Sequence, residues 1–376
     1  MKEYFPKDVL RLAKRVNNTK RTFLLVNPLQ AKHMPVKPSV SLEMMHTLGR
    51  QLAGRYPEAR LIVGFAETAT AIGAAVCECF PDDCVYMHTT REETPSVKDW
   101  IIFQEEHSHA TEQKLAQECF LKALQETKAV LFIEDEISTG RTLKNMIVQL
   151  RGLIPQGKQV DMVAASIINR MSAENERALT EEGIKLECLV RLPEEDYTKA
   201  VENFSVRIAE KVSCDKNAEA ERIVINNAPS YPDPRQGAEM GAYKSAIGGI
   251  IEKSLPELCR KIPENARVLV LGTEECMYPA LMLGLALEAH CSGRVFCHAT
   301  TRSPIGISDE KDYPAANGRK LTSLYQNTRE TYIYNLDKYE AAVIVTDAPA
   351  QPQAALSELA SALHAFGTEK VFIVNL

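Results

Sequence analysis

The first half of the chain alternates between short apolar runs and segments with helical periodicity. The apolar runs predict strands near residues 22–26, 60–65, 84–88, 129–134 and 160–168. Apolar positions at three- and four-residue spacing predict helices near residues 41–54, 69–80, 112–127 and 140–152. Strands that alternate with helices are typical of a mostly parallel sheet with helices on both faces. We therefore expect a doubly wound α/β fold.

The second half contains a weaker copy of this plan. The strand, glycine, glutamate and helix of residues 60–76 return at residues 268–284. Two further landmarks follow in both halves at similar spacings, a Thr-Thr-Arg triplet after the next strand and a later strand that ends in Asp. The second half is therefore expected to be a degenerate copy of the first, also doubly wound and mostly parallel.

Sequence composition also suggests where the domains divide. Residues 226–237, NNAPSYPDPRQG, are rich in Pro, Asn and Gly, which indicates loop structure. We predict a first domain at 1–200, a bridging segment at 201–240 and a second domain at 241–376. Residues 1–20 form a mildly basic amphipathic segment that predicts a packed first helix. Arg235 reads as an exposed arginine of the bridge.

The most informative segment is AVLFIEDEISTGRTLKNMIVQL, residues 129–150. Its apolar run ends in two adjacent carboxylates, Glu134 and Asp135. The small-residue loop that follows consists of Ser138, Thr139, Gly140, Arg141 and Thr142. The apolar positions of the next helix, which share one face, are Leu143, Met146, Ile147 and Leu150.

This strand–loop–helix segment predicts a binding site for a ribose 5-phosphate. Backbone N–H groups and the positive dipole end at a helix N-terminus favour a phosphate. Ionised carboxylates accept hydrogen bonds from hydroxyl groups. An ordinary buried strand before a capped helix is the alternative, since Ser and Thr are common N-caps.

The segment resembles the signature of type I phosphoribosyltransferases, in which a buried strand, two acids and two variable positions precede Thr/Ser-Thr-Gly-x-Thr. The resemblance implies that Glu134 and Asp135 hold the 2- and 3-hydroxyls of 5-phosphoribosyl diphosphate (PRPP), together with Mg²⁺. It also implies that residues 138–142 cradle the 5-phosphate. Glu136 departs from the family's usual aliphatic residue and has no evident role beside a phosphate. Arg141 departs from Gly or Lys and could add a cationic contact.

A second small-residue turn, residues 64–70, also follows a predicted strand and opens a helix. In the phosphoribosyltransferase fold the equivalent turn approaches the diphosphate, and here it offers Ala66, Glu67 and Thr68. Thr68 and Thr70 could donate hydroxyl hydrogens, or Thr68 could simply cap the helix. Glu67 would repel a diphosphate unless Mg²⁺ bridges the two or Glu67 contacts the acceptor.

Arg91 follows Thr89 and Thr90 at the end of a predicted strand and could make a fork-like contact to diphosphate oxygens. The triplet returns at residues 300–302, which marks either a second anion site or a shared strand-end geometry. After Asp347, in contrast, the chain has two nearby prolines, which supply no N–H. We therefore do not expect the second half to hold a ribose phosphate in the same way.

Residues 105–109, EEHSH, lie in the long connection before the 112–127 helix. The phosphoribosyltransferase fold places a mobile hood here that shields the reacting centre from water. His107 or His109 could transfer a proton to or from the acceptor. The pair could instead ligate a metal beside the carboxylates, or belong to a solvated hood without a proton role. Residues 27–33, NPLQAKH, could contact a base-like acceptor or form an ordinary loop.

Composition narrows the classes of function. The chain has 376 residues, 45% hydrophobic and 25% charged, as is usual for a globular protein. Its formal net charge of −6 gives no reason to expect nucleic-acid binding. No apolar run approaches the roughly 18 residues of a membrane span, and no secretory h-region is evident. Ten scattered cysteines indicate reduced thiols, so we expect a cytoplasmic protein, with homo-oligomerisation left open.

Nearly the whole chain resembles a two-part family. Its first part is the orotate-phosphoribosyltransferase-like domain found with tellurium-resistance gene clusters, and its second is named for a Thr-Arg-Ser-Pro motif, here residues 301–304. The matching strings are LLVNPLQAKH, GFAETATAIG, HTTRE, EEHSHATE, IEDEISTGRT and VLGTEECMYPALMLG.

This resemblance implies Mg²⁺-assisted phosphoribosyl transfer from PRPP to an unidentified base-like acceptor, in biosynthesis of a nucleoside-like metabolite. One alternative is a sensor that binds PRPP or a nucleotide without catalysis. Another is a ribosyl hydrolase or phosphorylase that uses the same phosphate cradle.

Overall fold

The computed structural model describes residues 2–16, 21–103, 112–215, 218–349 and 351–376. Its strands are β1 (Arg11–Lys14), β2 (Phe23–Val26), β3 (Leu61–Gly64), β4 (Val85–His88), β5 (Trp100–Phe103), β6 (Gln113–Ala116), β7 (Ala129–Ile137), β8 (Asp161–Asn169), β9 (Ile184–Arg191), β10 (Glu210–Lys211), β11 (Glu221–Arg222), β12 (Ala238–Glu239), β13 (Val268–Gly272), β14 (Val295–Ala299), β15 (Gly318–Thr322), β16 (Glu330–Tyr334), β17 (Ala341–Thr346) and β18 (Lys370–Asn375). Its helices are α1 (Pro6–Val9), α2 (Pro38–Arg55), α3 (Thr70–Cys77), α4 (Gln117–Glu126), α5 (Arg141–Arg151), α6 (Ala173–Thr180), α7 (Tyr197–Glu202), α8 (Met240–Lys261), α9 (Tyr278–His290) and α10 (Gln353–Ala365).

The chain divides into two compact units, each built from separate stretches of sequence. Unit 1 comprises Met1–Pro6, Glu43–Glu194 and Ser230–Ala246. Unit 2 comprises Lys7–Leu42, Glu195–Pro229 and Ile247–Leu376. The continuous domains expected at 1–200 and 241–376, with a bridge at 201–240, stay a proposal about how the sequence is organised.

Unit 1 is built around a six-stranded sheet in the order β12-β4-β3-β7-β8-β9. Every pair is parallel except the short edge strand β12, which pairs antiparallel with β4. The apolar run of β7 is buried because helices cover both faces of a parallel sheet. The apolar face expected for α5 is also buried, at Leu143, Met146, Ile147 and Leu150. These features confirm the mixed α/β fold.

Unit 2 is built around a five-stranded, all-parallel sheet in the order β11-β18-β17-β13-β14. A second small sheet joins β10 to the hairpin of β15 and β16. The order β14-β13-β17-β18 repeats the order β4-β3-β7-β8 of unit 1. The topology therefore agrees with the expected internal repeat, whose origin stays a prediction.

Three elements near the N-terminal half differ from the sequence-based prediction. The strand expected at 22–26 forms as β2, but it pairs antiparallel with β1 in a separate two-stranded sheet. Residues 1–20 do not form one long helix, since α1 has four residues and β1 follows it. The helix expected from residue 112 begins only at Gln117, because residues 113–116 pair with β5 as strand β6.

Two other expectations concern single residues. Arg235 was expected to be an exposed arginine, yet it is 5% exposed and its Nη1 lies 3.2 Å from Asp233 Oδ1. All ten cysteines are free thiols, as the sequence predicts, and five of them are buried. Within the described ranges, no helix combines the length and the apolar character needed to cross a membrane.

A buried lysine anchors the loop after β2 inside unit 2. Lys32 is fully buried, and its Nζ donates to the backbone oxygens of Glu274 and Thr300, both at 3.2 Å. These oxygens belong to the loops after β13 and β14. The loop at residues 27–33 therefore has a packing role in unit 2, because Lys32 joins two neighbouring strand ends.

We expect Lys32→Met to lower the free energy of unfolding by about 1–3 kcal/mol. Methionine keeps an unbranched apolar stem but leaves two buried carbonyl oxygens without this donor. Denaturant unfolding of the full chain measures the change. The exposed Lys37→Met is the control and should stay within about 0.5 kcal/mol of the unsubstituted chain. Equal effects of the two changes would contradict the anchoring role.

Candidate functional site

The loop between β7 and α5 depends on a glycine. Gly140 has a φ of +67°, in the left-handed region that side chains with a Cβ rarely adopt. A Cβ added there would lie 2.8 Å from Met171 Sδ and 3.2 Å from Leu179 Cδ1. The loop therefore packs directly on α6 and the loop before it, and a larger residue would displace both.

Residues of the first turn of α5 line a cavity. Gly140 is the N-cap and has no side chain to cap the helix, while the N–H of Arg141 lies 3.5 Å from Thr139 Oγ1, a long hydrogen bond. Helix geometry leaves the first N–H groups without a partner inside the helix. The cavity in front of them measures about 100 Å³, well above the roughly 10–15 Å³ that one water needs. Its lining residues are Glu134, Glu136, Ile137, Ser138, Thr139, Gly140, Arg141, Thr142 and Leu143. The predicted phosphate loop thus lines one anion-sized space.

The two acids of the signature do not share this cavity. Strand β7 extends through Ile137, so successive side chains point to opposite faces of the sheet. Glu134 and Glu136 line the cavity, whereas Asp135 is absent from its lining. Asp135 Oδ1 accepts a hydrogen bond from the N–H of Glu136 at 2.9 Å. Glu134 is therefore the signature acid that faces the phosphate loop.

The charge of the acids is controlled by their surroundings. Burial raises the pKa of Glu134 well above its usual value, and the nearby charges of Asp135 and Glu136 raise it further. Glu136 forms an ion pair with Arg170, whose Nε lies 2.5 Å from Oε1. The ion pair offsets the negative charge of Glu136. This explains how an acid is tolerated at a position where the family usually has an aliphatic residue.

The turn after β3 is fixed by hydrogen bonds to neighbouring segments. The N–H of Ala66 donates to Thr89 Oγ1 at 2.9 Å, and that hydroxyl donates to Gln113 Oε1 at 2.8 Å. Sequence reasoning missed Gln113, because residue 113 was placed in a helix. The N-cap of α3 is Ala69, without a side-chain capping bond, so the structure does not support the alternative in which Thr68 is the cap residue.

The sheet order brings the predicted residues to one edge. Strand β3 lies between β4 and β7 and pairs in parallel with both. The turn of Ala66, Glu67 and Thr68 follows β3, and the half-buried Arg91 follows β4. Glu134 lies toward the carboxyl end of β7, so these residues share one edge of the sheet. Ligands bind at this edge in open α/β sheets.

Two predicted residues cannot be placed. His107 and His109 lie outside the described residues, so their proton-transfer role stays a prediction. Among the residues that the structure describes, no group of three or more His, Cys, Asp and Glu side chains could hold a metal ion. Magnesium is commonly held by one or two carboxylates together with substrate phosphates. Of the two acids expected to hold it, Glu134 lines the cavity, whereas Asp135 points to the opposite face of β7.

Comparison with known families gives two matches. Residues 9–193 match the family model described as phosphoribosyl transferase. Residues 236–363 match the model of the TRSP domain that lies C-terminal to this phosphoribosyltransferase family. The chain thus matches a phosphoribosyltransferase model and then a TRSP model, and these matches support phosphoribosyltransferase as its enzyme class. No curated protein matches the chain at a significant level.

Several solved structures are similar to part of the chain. Adenine phosphoribosyltransferase from Trypanosoma brucei is 14% identical, with a TM-score of 0.36 over 49% of this chain and 76% of that chain. Orotate phosphoribosyltransferase from Aeropyrum pernix is 17% identical, with a TM-score of 0.26 over 44% and 73%. Adenine phosphoribosyltransferase from Rhodothermus marinus is 14% identical, with a TM-score of 0.35 over 50% and 96%. Likeness at this level carries no inference about substrate or mechanism.

We expect Gly140→Ala to destabilise unit 1 more than a matched change elsewhere. Gly183 also has a positive φ, +70°, but an added Cβ there would meet nothing within 4 Å. Gly183→Ala should therefore cost only the backbone strain, about 1–2 kcal/mol. Gly140→Ala should cost about 1–3 kcal/mol more, because Met171 and Leu179 must shift. Thermal unfolding measures both, and equal losses would contradict the packing role of Gly140.

We expect Glu134→Gln to stabilise the protein increasingly as pH rises. A carboxyl whose folded-state pKa is raised stabilises the fold fully below its unfolded value of about 4.5, and this contribution is lost as pH rises through the folded-state value. The uncharged glutamine removes that dependence. Melting temperatures of the variant and the unsubstituted chain are compared between pH 4 and pH 8. Each kcal/mol of difference in unfolding free energy shifts the melting temperature by roughly 2–4 °C. The exposed Glu126→Gln is the control. A constant difference between Glu134→Gln and the unsubstituted chain would contradict the assignment.

Proposed function

We propose that the chain transfers the 5-phosphoribosyl group of PRPP to a nitrogen nucleophile on a base-like acceptor. The bond from that nitrogen to ribose C1 forms while the bond from C1 to the diphosphate oxygen breaks. The bonding electron pair leaves on the diphosphate, and the acceptor nitrogen loses a proton. The observation that supports this proposal is one cavity lined both by the first turn of α5 and by Glu134.

The phosphate end of the substrate would lie against the loop at residues 138–142. Backbone N–H groups of the first turn of α5 would donate to the 5-phosphate oxygens. The hydroxyls of Ser138, Thr139 and Thr142 would add donors, and the exposed Arg141 would add positive charge. The 5-phosphate would thereby fix one end of the sugar.

The ribose hydroxyls would contact the acids of β7. Glu134 faces the phosphate loop, so it is the acid that would accept from a sugar hydroxyl beside the 5-phosphate. Asp135 points to the opposite face of the strand, so it would contact the sugar from that side. Glu134 would hold Mg²⁺, which when bound would supply positive charge to the diphosphate. A nearby cation would favour the charged form of Glu134 that burial disfavours.

The diphosphate would lie at the turn of Ala66, Glu67 and Thr68 and near Arg91. Small residues in the turn leave room for the diphosphate to approach the backbone. Arg91 would offset the charge that develops on the leaving group, since electrostatic stabilisation of developing charge is usually the largest catalytic contribution. His107 or His109 would accept the acceptor's proton.

The biological setting is also a proposal. The resemblance of the sequence to chains from tellurium-resistance gene clusters leads us to propose a cytoplasmic enzyme that helps to assemble a nucleoside-like metabolite.

We expect Asp135→Asn and Arg91→Gln each to reduce diphosphate release from PRPP by about 10- to 100-fold. Hydrogen bonds to charged groups contribute about 1.5–3 kcal/mol, which corresponds to that range. The assay incubates the full chain with PRPP, Mg²⁺ and a panel of purine, pyrimidine and other amine acceptors. Asp161→Asn is the matched control. Asp161 is a half-exposed carboxylate at the amino end of β8, away from the edge of the sheet that carries the site, and it pairs with Lys185.

The outcomes separate the candidate functions. Diphosphate release that requires an acceptor supports transfer. Release without any acceptor indicates hydrolysis, and PRPP binding without release indicates a sensor. If the Asp135→Asn variant and the Arg91→Gln variant each kept full activity, the proposed roles of both residues would be contradicted.

A further inference from the structure

The loops after the central strands of the two units share the same hydrogen bonds. In unit 1 the N–H of Thr89 donates to Gly64 O at 3.0 Å. In unit 2 the N–H of Thr300 donates to Gly272 O at 3.1 Å. Thr89 and Thr300 are therefore equivalent residues, as the repeated Thr-Thr-Arg triplet predicts.

These two threonines also fix the turn residue that follows each glycine. Thr89 Oγ1 accepts from the N–H of Ala66 at 2.9 Å, and Thr300 Oγ1 accepts from the N–H of Glu274 at 3.0 Å. Ala66 of unit 1 and Glu274 of unit 2 thus occupy the same place. The proposed diphosphate turn of unit 1 has a methyl group where unit 2 has a carboxylate.

The carboxylate of Glu274 is bound as an anionic ligand would be. Glu274 is 1% exposed. Its Oε2 lies 2.7 Å from Arg302 Nε and 2.8 Å from Arg329 Nη2. Its Oε1 accepts a hydrogen bond from Ser323 Oγ at 2.5 Å. Arg302 Nη2 also lies 3.1 Å from Oε1 of the buried Glu275. Arg302 therefore bridges two carboxylates, whereas Arg329 pairs with Glu274. Arg302 is the equivalent of Arg91 in the repeated triplet, so an arginine expected to face diphosphate in unit 1 faces this carboxylate in unit 2.

The backbone at this position supports a specific role for the carboxylate. Glu274 has a φ of +50°, a left-handed conformation that is unfavourable for a residue with a Cβ. A buried ion pair also pays a desolvation penalty that its attraction only partly offsets. Strained backbone and buried charge at one residue are features that cluster at functional sites.

The hairpin of β15 and β16 completes the enclosure. Ser323 and Arg329 both belong to the connection between these strands. Tyr325 in the same connection donates its hydroxyl hydrogen to Asp347 Oδ1 and lies 3.1 Å from Thr273 O. Asp347 is the repeat equivalent of Asp135. The connection therefore contacts both the anion position and the acid position of unit 2.

We propose that unit 2 is an anion cradle whose anion is its own Glu274 carboxylate. The equivalent place in unit 1, at Ala66, is left for the phosphate oxygens of a ligand. Unit 2 should therefore bind no inorganic diphosphate while Glu274 is present. Removing this side chain should open a site for diphosphate between Arg302 and Arg329. This inference goes beyond the proposed transfer reaction, because it concerns a site in the other unit.

Isothermal titration of the full chain with inorganic diphosphate tests the proposal. Glu274→Gly empties the cradle and suits the positive φ, whereas Glu274→Gln removes the charge but keeps the cradle filled. We expect Glu274→Gly to bind one diphosphate per chain more than the unsubstituted chain and Glu274→Gln. Adding Arg329→Ala to Glu274→Gly should abolish the added site. Any binding in unit 1 is common to all variants and cancels in the comparison.

Equal stoichiometry in soluble Glu274→Gly, Glu274→Gln and the unsubstituted chain would overturn the proposal. If Glu274→Gly is insoluble, its refolding yield is compared with and without diphosphate. Recovery that requires diphosphate supports the cradle, and failure under both conditions counts against it. The result does not depend on whether unit 1 turns over PRPP, since neither PRPP nor an acceptor is present.

Discussion

The parallel pairing of β3 with both β4 and β7 is the constraint on which the site depends. Three loops must leave the sheet at the same edge, because parallel strands end in the same direction. Gly64 makes the tight exit of the middle loop possible, since a Cβ there would lie 3.0 Å from Ala69 O. The strand order, rather than any single catalytic residue, places the turn at Ala66 beside the end of β7.

Both units place carboxylates in largely buried positions at this edge of the sheet, where their negative charge is unfavourable unless it is neutralised or paired. Unit 1 pairs Glu136 with Arg170 and disfavours the charge of Glu134 by burial. Unit 2 instead places Glu274 between two arginines. In unit 1 the first turn of α5 lines a cavity beside Glu134, whereas in unit 2 the carboxylate of Glu274 is matched by arginines of the same unit.

The sequence was informative wherever local pattern decides structure. The apolar run of β7 and the periodicity of α5 could be read directly, and so could the glycine-dependent loop between them. Residues 113–116 could not, because their strand structure depends on pairing with β5, a contact distant in sequence. The pairing of Arg170 with Glu136 could not be predicted either, because Arg170 follows the neighbouring strand β8. The orientation of Asp135 could not be predicted because it depends on how far β7 extends.

In unit 2 the helix start after Asp347 and the buried carboxylate of Glu274 both differ from the equivalent places in unit 1. After Asp347, Pro349 and Pro352 supply no N–H groups, and Pro352 is the N-cap of α10 without a side-chain capping bond. A helix start of this kind offers less to a phosphate than the start of α5 does. The arginines beside this loop instead find their counter-charge inside unit 2. Glu274 and Glu275 both pair with Arg302, and Glu274 also pairs with Arg329. The Thr-Thr-Arg strand end is therefore electrostatically balanced without a bound phosphate.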